Sequence, residues 1–399
     1  MFDPFAPGFT DDPYVQYAAL REHDPVHENP FGFWLLTRYE DVSSMLRSGH
    51  SVEERHVVSD GVFTRVRDET YNGENPRLTG LSMLDRDPPD HTRLRRLVSK
   101  AFTPRAVQAL RPRIAELTDG MLDDIERAGE VDVIGSLAFP LPFAVIAEML
   151  GTPPADHARL RELTGIVVRS LEPVPDQETA KAITDADREL SVMAREMIAW
   201  KRANPADDLL TALIQAEDNG DVLDDEELVA QTLLLYIAGH ETTVNLIGGG
   251  TMHLLRNPGQ LALLREDPAL VENAVEEMLR FDSPVQQSRR ITLEPVEVGG
   301  TKIPAGQFVL VSLASANRDR RFWGEDADEF LVRRENARHH LSFGAGHHHC
   351  LGASLARLEA AVAFERLIAR FPRLEQAGDI EWNGRINLRG PARVPVSVR

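Results

Sequence analysis

One stretch, from Asp224 to Pro258, constrains this chain more than any other. Asp224 and Glu227 form a capping-box pair, after which the sequence runs LVAQTLLLYIAGHETTVNLIGGGTMHLL and stops before Pro258. This predicts a single helix of roughly 45 Å, enough to cross a whole domain. Apolar residues surround it almost completely, so its middle must be buried. Yet that middle reads Ala238-Gly239-His240-Glu241-Thr242-Thr243. Burying a carboxylate and hydroxyls is costly unless they are paired or wetted. A zinc-protease motif is excluded, because His240-Glu241 is followed by Val244 where a second histidine is needed. Two readings stay open. Thr242 is a core threonine that bonds back to the Ala238 carbonyl and bends the helix. Alternatively, Glu241 and Thr242 form a proton relay beside a small cavity left by Ala238 and Gly239.

Elsewhere helical periodicity dominates. Pro104 opens a segment in which Val107, Leu110, Ile114, Leu117, Met121 and Ile125 fall on one stripe, closed by Gly129, and this predicts one amphipathic helix. Strand signals cluster in VHENPFGFWLLTRY and VEVGGTKIPAGQFVLVSL, the second turning at Gly299-Gly300. The reading is a mainly α chain with a small, segregated β part. No repeat or long linker divides it, so residues 1–399 are read as one domain. The apolar run Val133 to Ala147 holds two prolines and is shorter than the roughly 20 residues of a membrane span, so it reads as core. The start MFDPFAPGF has no secretory pattern, and the single cysteine excludes an internal disulfide. A cytoplasmic protein without a membrane segment is expected. A net charge of −19 argues against nucleic acid as a partner. From His91 to Arg113, however, Arg93, Arg95, Arg96, Lys100, Arg105, Arg111 and Arg113 occur with no acidic residue. That island reads as a docking surface for an acidic partner or as a solvated helix face.

The only cysteine, Cys350, stands in FGAGHHHCLG, Phe343 to Gly352. A zinc site is poorly served, because neighbouring side chains diverge and separated ligand pairs are missing. A hydrolytic nucleophile lacks a local signature for its base. A single axial thiolate to haem iron needs one cysteine in a glycine-rich loop whose N–H groups face the sulfur. Phe343, Gly344, Gly346, Cys350 and Gly352 meet that need.

Taken together, the cysteine loop, AGHETT at Ala238–Thr243 and the pair Glu277-x-x-Arg280 resemble the cytochrome P450 family, in its soluble bacterial form. The resemblance extends to DPPDHTRLRRLVSKAFTP, to IPAG at Ile303–Gly306 and to ANRD at Ala316–Asp319, and so covers essentially the whole chain. It implies a haem b held by Cys350, with Phe343 shielding the sulfur and Gly344 and Gly352 shaping the loop. It implies His91, Arg95, Arg290 and His348 as propionate ligands, with Arg289 as the neighbour confusable with Arg290. Ala238 and Gly239 would line the oxygen groove, and Glu241 and Thr242 would supply protons for dioxygen chemistry. Glu277, Arg280 and Arg334 would form a structural ion network. His347 and His349 would face solvent or a partner. The additional histidine of ARHHLSFG is His339 or His340. Arg320, and Thr292 in SRRITLEP, depart from the usual pattern.

The same resemblance implies hydroxylation of a C–H bond in a hydrophobic small molecule, such as a macrolide or other polyketide, a steroid or a terpenoid. Electrons would come from NAD(P)H through a ferredoxin reductase and a ferredoxin, the latter docking on the basic island. The pocket would draw on the loop from Val62 to Met83, on Ile166–Val174, on Leu234, Ala238 and Thr242, and on the turns Val285–Gln287 and Ile386–Leu388. Within it Leu234, Val285, Gln286, Ile386 and Asn387 are the candidates. The rival readings are epoxidation or phenol coupling on the same fold, and a haem-binding ligand sensor without turnover.

Overall fold

The central helix spans Asp225–Arg256, 32 residues or about 48 Å. Its start is capped from both sides: Glu227 N donates to the Asp224 carboxylate at 2.8 Å, and Asp224 N donates to the Glu227 carboxylate at 3.1 Å. Twenty-three of its residues between Leu228 and Leu254 are buried, and small residues let their neighbours in close. A Cβ at Gly250 would stand 2.6 Å from Met278 Sδ and Phe364 Cζ, so only glycine fits. Met278 belongs to the helix Val271–Phe281 and Phe364 to the helix Ala353–Arg370, which follows the cysteine loop. These three helices, with Ile114, Leu122 and Ile125, share one large apolar core. The N-terminal half of the central helix enters a second core. There Leu233, Leu234 and Tyr236 pack with Leu160 and Val167 of the helix His157–Val167, and with Leu190 and Met197 of the helix Gln177–Ala203. The computed structural model describes residues 2–58, 69–71, 82–100, 102–152, 157–173, 176–218 and 220–399.

The β part is small and separate, as the clustered strand signals predict. Strands β1 (Val26–Asn29) and β2 (Phe33–Leu36) form a hairpin. They are followed late in the chain by β3 (Gln287–Ile291), β4 (Val296–Val298), β5 (Thr301–Ile303) and β6 (Phe308–Ser312). The main sheet has the order β1-β2-β6-β3, with β2 parallel and β3 antiparallel to β6. Strands β4 and β5 form a hairpin through Gly299 and Gly300, both at positive φ, 55° and 81°. Thr292 donates to the Pro304 carbonyl at 2.6 Å and accepts from Gln307 N at 2.9 Å, so its hydroxyl pins the loop that joins β5 to β6.

One expectation is corrected. The segment after Pro104 is two helices, Pro104–Ala109 and Arg111–Ala128, jointed at Leu110. Pro112 has no N–H to continue the first ladder, so the chain restarts. In the second helix the fully buried ridge is Ile114, Thr118, Leu122 and Ile125, while Leu117 and Met121 flank it. Among the described residues no helix is long and apolar enough to cross a membrane.

Candidate active site

The cysteine loop is built by its glycines. Gly344 and Gly346 sit at φ 67° and 70°, and a Cβ at Gly346 would come within 2.6 Å of the Leu46 carbonyl oxygen. The reversal lets Cys350 N donate to the Phe343 carbonyl at 2.8 Å. Cys350 then stands just ahead of the helix Ala353–Arg370, whose N-cap is Gly352. The thiol is open to solvent yet deeply set among protein atoms. Burial pushes its pKa up, and the N–H groups of Gly352 and Ala353, with Arg95 and Arg357, oppose that shift. Phe343 lies beneath the Arg357 guanidinium, 4.4 Å from ring centre to carbon. Arg357 is fixed by Glu276 at 2.8 and 3.1 Å, and His340 bonds the same carboxylate at 2.9 Å. Burial alone would raise Glu276, but these two partners outweigh it and hold its carboxyl down to about 2. His340 is thus the buried member of its histidine pair, and His339 is exposed.

Beside the loop two arginines and two histidines gather. His91, on the helix Asp90–Ser99, stacks 4.2 Å from His348, ring to ring. Arg290 on β3 donates to the Leu46 carbonyl at 2.9 Å, and Arg95 donates to the His349 carbonyl at 2.6 Å. Successive residues of a strand face opposite ways. Arg289 accordingly turns to Asp85 and Glu54, leaving Arg290 in the cluster. Burial, reinforced by the neighbouring cations, pulls His91 down to about 4 and His348 to about 3. Burial also lowers Arg290 to about 10. His91 Nδ1 is buried without a protein partner. A cleft of about 440 Å³ opens here, lined among others by Leu46, Arg290, His347 and His348. His347 and His349 are exposed. Among the described residues the side chains gathered at metal-binding separation are Glu53, His56 and Asp87, and the histidine run does not join them.

On the central helix, Thr242 donates to the Ala238 carbonyl at 3.1 Å and Thr243 to that of Gly239 at 3.4 Å. Ala238 is exposed although the residues on either side of this segment are buried. Glu241 forms an ion pair with Arg385, a residue that no motif singles out. Two more carboxyls were missed. Glu172 accepts backbone N–H bonds from Ile386, Asn387 and Leu388 at 2.9, 2.8 and 2.6 Å. Glu359, on the helix after the cysteine loop, is buried with one oxygen unpartnered, and burial raises it to about 8 despite a bond from Thr243. Its place on the buried face between Leu355 and Val362 was a legible signal, because a carboxyl on an apolar stripe is rare.

The pocket candidates converge. Leu234 packs in the second core with Val167, Val168, Met83 and Leu388, and Val285, Ile166 and Leu171 lie against it. Ile386 and Asn387 are half-buried. Gln286 is fully buried, and its amide donates to the Ser283 carbonyl at 2.7 Å. Of the loop Val62–Met83, residues 62–68 and 72–81 lie outside the described residues, as does Val174. Glu277, Arg280 and Arg334 meet in full burial. Arg280 grips Glu277 at 2.6 and 2.8 Å, and Arg334 reaches the same carboxylate at 3.2 Å. The basic island is less basic than its sequence: Arg93 pairs with Glu227, Arg96 with Asp221, Arg111 with Glu365, and Arg113 with Glu116 and Glu148. Apart from Glu116, three residues on from Arg113, these partners come from distant elements and cannot be read from the sequence around the island.

The sequence profile of cytochrome P450 matches residues 167–382. The chain belongs to the cytochrome P450 family. It is 44% identical, over 98% of its length and 96% of the relative, to cytochrome P450 107B1 of Saccharopolyspora erythraea. It is 41% identical to the vitamin D(3) 25-hydroxylase of Pseudonocardia autotrophica, over 99% of this chain and 96% of that one. The solved structure of the Bacillus subtilis bacillaene polyketide synthase cytochrome P450 PksS superposes with a TM-score of 0.90 at 35% identity, covering 100% of both chains. As a P450 the protein is a haem-thiolate monooxygenase that uses dioxygen and electrons from NAD(P)H delivered by redox partners. The residues present fit haem. The thiol meets N–H donors at a helix start, and the buried cations beside it suit a group with two carboxylates.

Proposed function

We propose that this P450 hydroxylates a C–H bond of a hydrophobic small molecule of the macrolide or other polyketide, steroid or terpenoid kind. Electrons would come from a ferredoxin and its reductase in the cytoplasm. The observation that carries this reading is that Leu234 shares one apolar cluster with Val167 and Leu388, with Val285 packed against it, on the same helix that carries Glu241 and Thr242. Two relatives support the substrate class by their names, the vitamin D(3) 25-hydroxylase and, at 39% identity, the 6-deoxyerythronolide B hydroxylase of Saccharopolyspora erythraea.

In this reading Cys350 holds the haem iron, Phe343 covers the sulfur, and His91, Arg95, Arg290 and His348 bind the propionates. Gly344 and Gly352 let the loop approach. Bound haem supplies dioxygen activation, with the thiolate's electron push favouring O–O cleavage. The chain's own residues do the rest. Ala238 and Gly239 leave room, Thr242 presents a hydroxyl, and Glu241 provides a carboxylate that receives and passes protons. The Glu277–Arg280–Arg334 network ties the helix Val271–Phe281 to the loop that precedes the cysteine. With four island arginines already paired, the exposed His347 and His349 beside the island are added to the surface read as meeting the ferredoxin.

The reduced, carbon monoxide-bound absorption spectrum tests the assignment, with Cys350→His alongside. A red-shifted thiolate-type Soret band, lost in the variant, is the expected result. A histidine-type band in the unaltered chain overturns it. Screening polyketides, steroids and terpenoids for a haem spin shift, then for product with a surrogate ferredoxin system, tests the substrate class. Spin-shifting ligands that never yield product would favour a sensor.

A further inference from the structure

The segment 385–388 is held by more bonds than a surface turn needs. Glu172, at the end of the cover helix His157–Val167 and its following turn, accepts three successive backbone N–H groups from it at 2.9, 2.8 and 2.6 Å. Asn387 donates to the Leu171 carbonyl at 3.4 Å, and its own carbonyl accepts from Gln286 N at 2.8 Å. The Leu388 carbonyl accepts from Asn245 of the central helix at 3.2 Å. Cover, β3 and central helix therefore all fix one turn. The residue that opens it, Arg385, points its guanidinium at Glu241. Among the described residues its neighbour His240 also faces Glu241, with Nε2 at 3.8 Å from the carboxylate. His240 is buried, and its Nδ1 is committed to the Tyr236 carbonyl at 2.7 Å. Burial drives its pKa down, so it supplies no lasting charge to steer the carboxylate.

We propose that Arg385 is the positioning residue for Glu241, and that Glu172 sets Arg385 by clamping the turn that carries it. The proton-handling carboxylate is thereby coupled to the cover. Loss of the Glu172 clamp would free the turn, and with it the orientation that Arg385 gives Glu241. This rests on the reading of Glu241 and Thr242 as the proton relay.

The test uses the haem-loaded full chain with a surrogate ferredoxin, its reductase, NADPH and dioxygen, with no organic substrate. NADPH consumed and hydrogen peroxide released are both measured. Two electrons and two protons take dioxygen to peroxide, and four of each take it to water, so the peroxide share reports whether protons arrive in place. Arg385→Ala is expected to slow water formation by about tenfold or more, with a rising peroxide share and an altered solvent deuterium isotope effect. Arg385→Lys should restore much of it, because a cation returns to the same place. Glu172→Gln should act like Arg385→Ala and also speed hydrogen exchange at the amides of Ile386, Asn387 and Leu388. A readout without turnover is the thermal double-mutant cycle of Glu241→Gln and Arg385→Ala, in which the two Tm losses should fail to add. Thr242→Ala separates the two claims. If it raises the peroxide share while Arg385→Ala does not, Arg385 has no positioning role and the relay stands. If neither variant changes the share, the relay reading itself falls. Additive Tm losses with an unrescued Arg385→Lys also overturn the proposal.

Discussion

Two groups of basic side chains in this fold are built on opposite plans. In the first, all five N–H donors of Arg280 end on oxygen: two on Glu277, and three on the carbonyls of Asn317, Ala327 and Glu329. Arg334 closes the other side through Glu277 and Asp326. Positive and negative groups balance, so the cluster is finished by protein alone. In the second, Arg95 and Arg290 carry charge beside the neutral rings of His91 and His348, and the hydrogen bonds they make reach neutral carbonyls, while His91 Nδ1 has no protein partner. Such a cluster is expensive by itself and favourable once an anion arrives. The difference teaches how to read buried charge. A satisfied network is architecture, and an unbalanced one marks where a ligand completes the structure.

That comparison can be broken by substitution. The largest effect is expected from Arg280→Ala, which leaves three buried carbonyls unbonded and the Glu277 carboxylate with Arg334 as its remaining cation, and should cost about 3–5 kcal/mol of unfolding free energy in urea. Glu359→Gln comes next and probes a buried carboxyl with no cation beside it and one oxygen unpartnered. Its folded pKa, about 8, lies above the ordinary 4.5, so its contribution is present below about pH 4.5 and is lost as pH rises toward 8. The unaltered chain should lose about 3 kcal/mol on going to pH 7 at this site. The glutamine variant should lack that slope, and identical pH curves would refute the assignment. Arg290→Gln should weaken haem retention about tenfold to a hundredfold, one charge-assisted bond's worth, while shifting haem-free stability by only about 1 kcal/mol. If it destabilised the haem-free chain as much as Arg280→Ala, the distinction between the clusters would collapse. The smallest effect belongs to Arg113→Ala. Its exposed pairs with Glu116 and Glu148 should be worth less than about 1 kcal/mol, and that value should shrink further in high salt.

Much of this was legible along the chain. The capped central helix announced itself through Asp224 and Glu227 and an unbroken apolar surround, because a helix cap and a 3.6-residue period are local properties. The Gly299-Gly300 turn was equally local. The joint at Leu110 was misread because a periodic stripe continues across it, and the missing N–H of Pro112 outweighs periodicity. The cysteine loop, AGHETT and Glu277-x-x-Arg280 were visible as strings. Their partners Arg385, Glu172 and Glu276 were not, since nothing near them in sequence shows what they face.

The sequence by itself determined the elements, the single thiol, the helix that carries Glu241 and Thr242, and the family to which the chain belongs. Each follows from residue type and short-range spacing. Only the tertiary structure decided which charges are spent and which are available. It paired Arg93, Arg96, Arg111 and Arg113 with acids from distant elements, turned Arg289 away from Arg290, and set Arg385 against Glu241 across 144 positions of chain. The physical reason is that electrostatic interaction depends on distance and burial in space, and neither is encoded in the order of residues until the chain has folded.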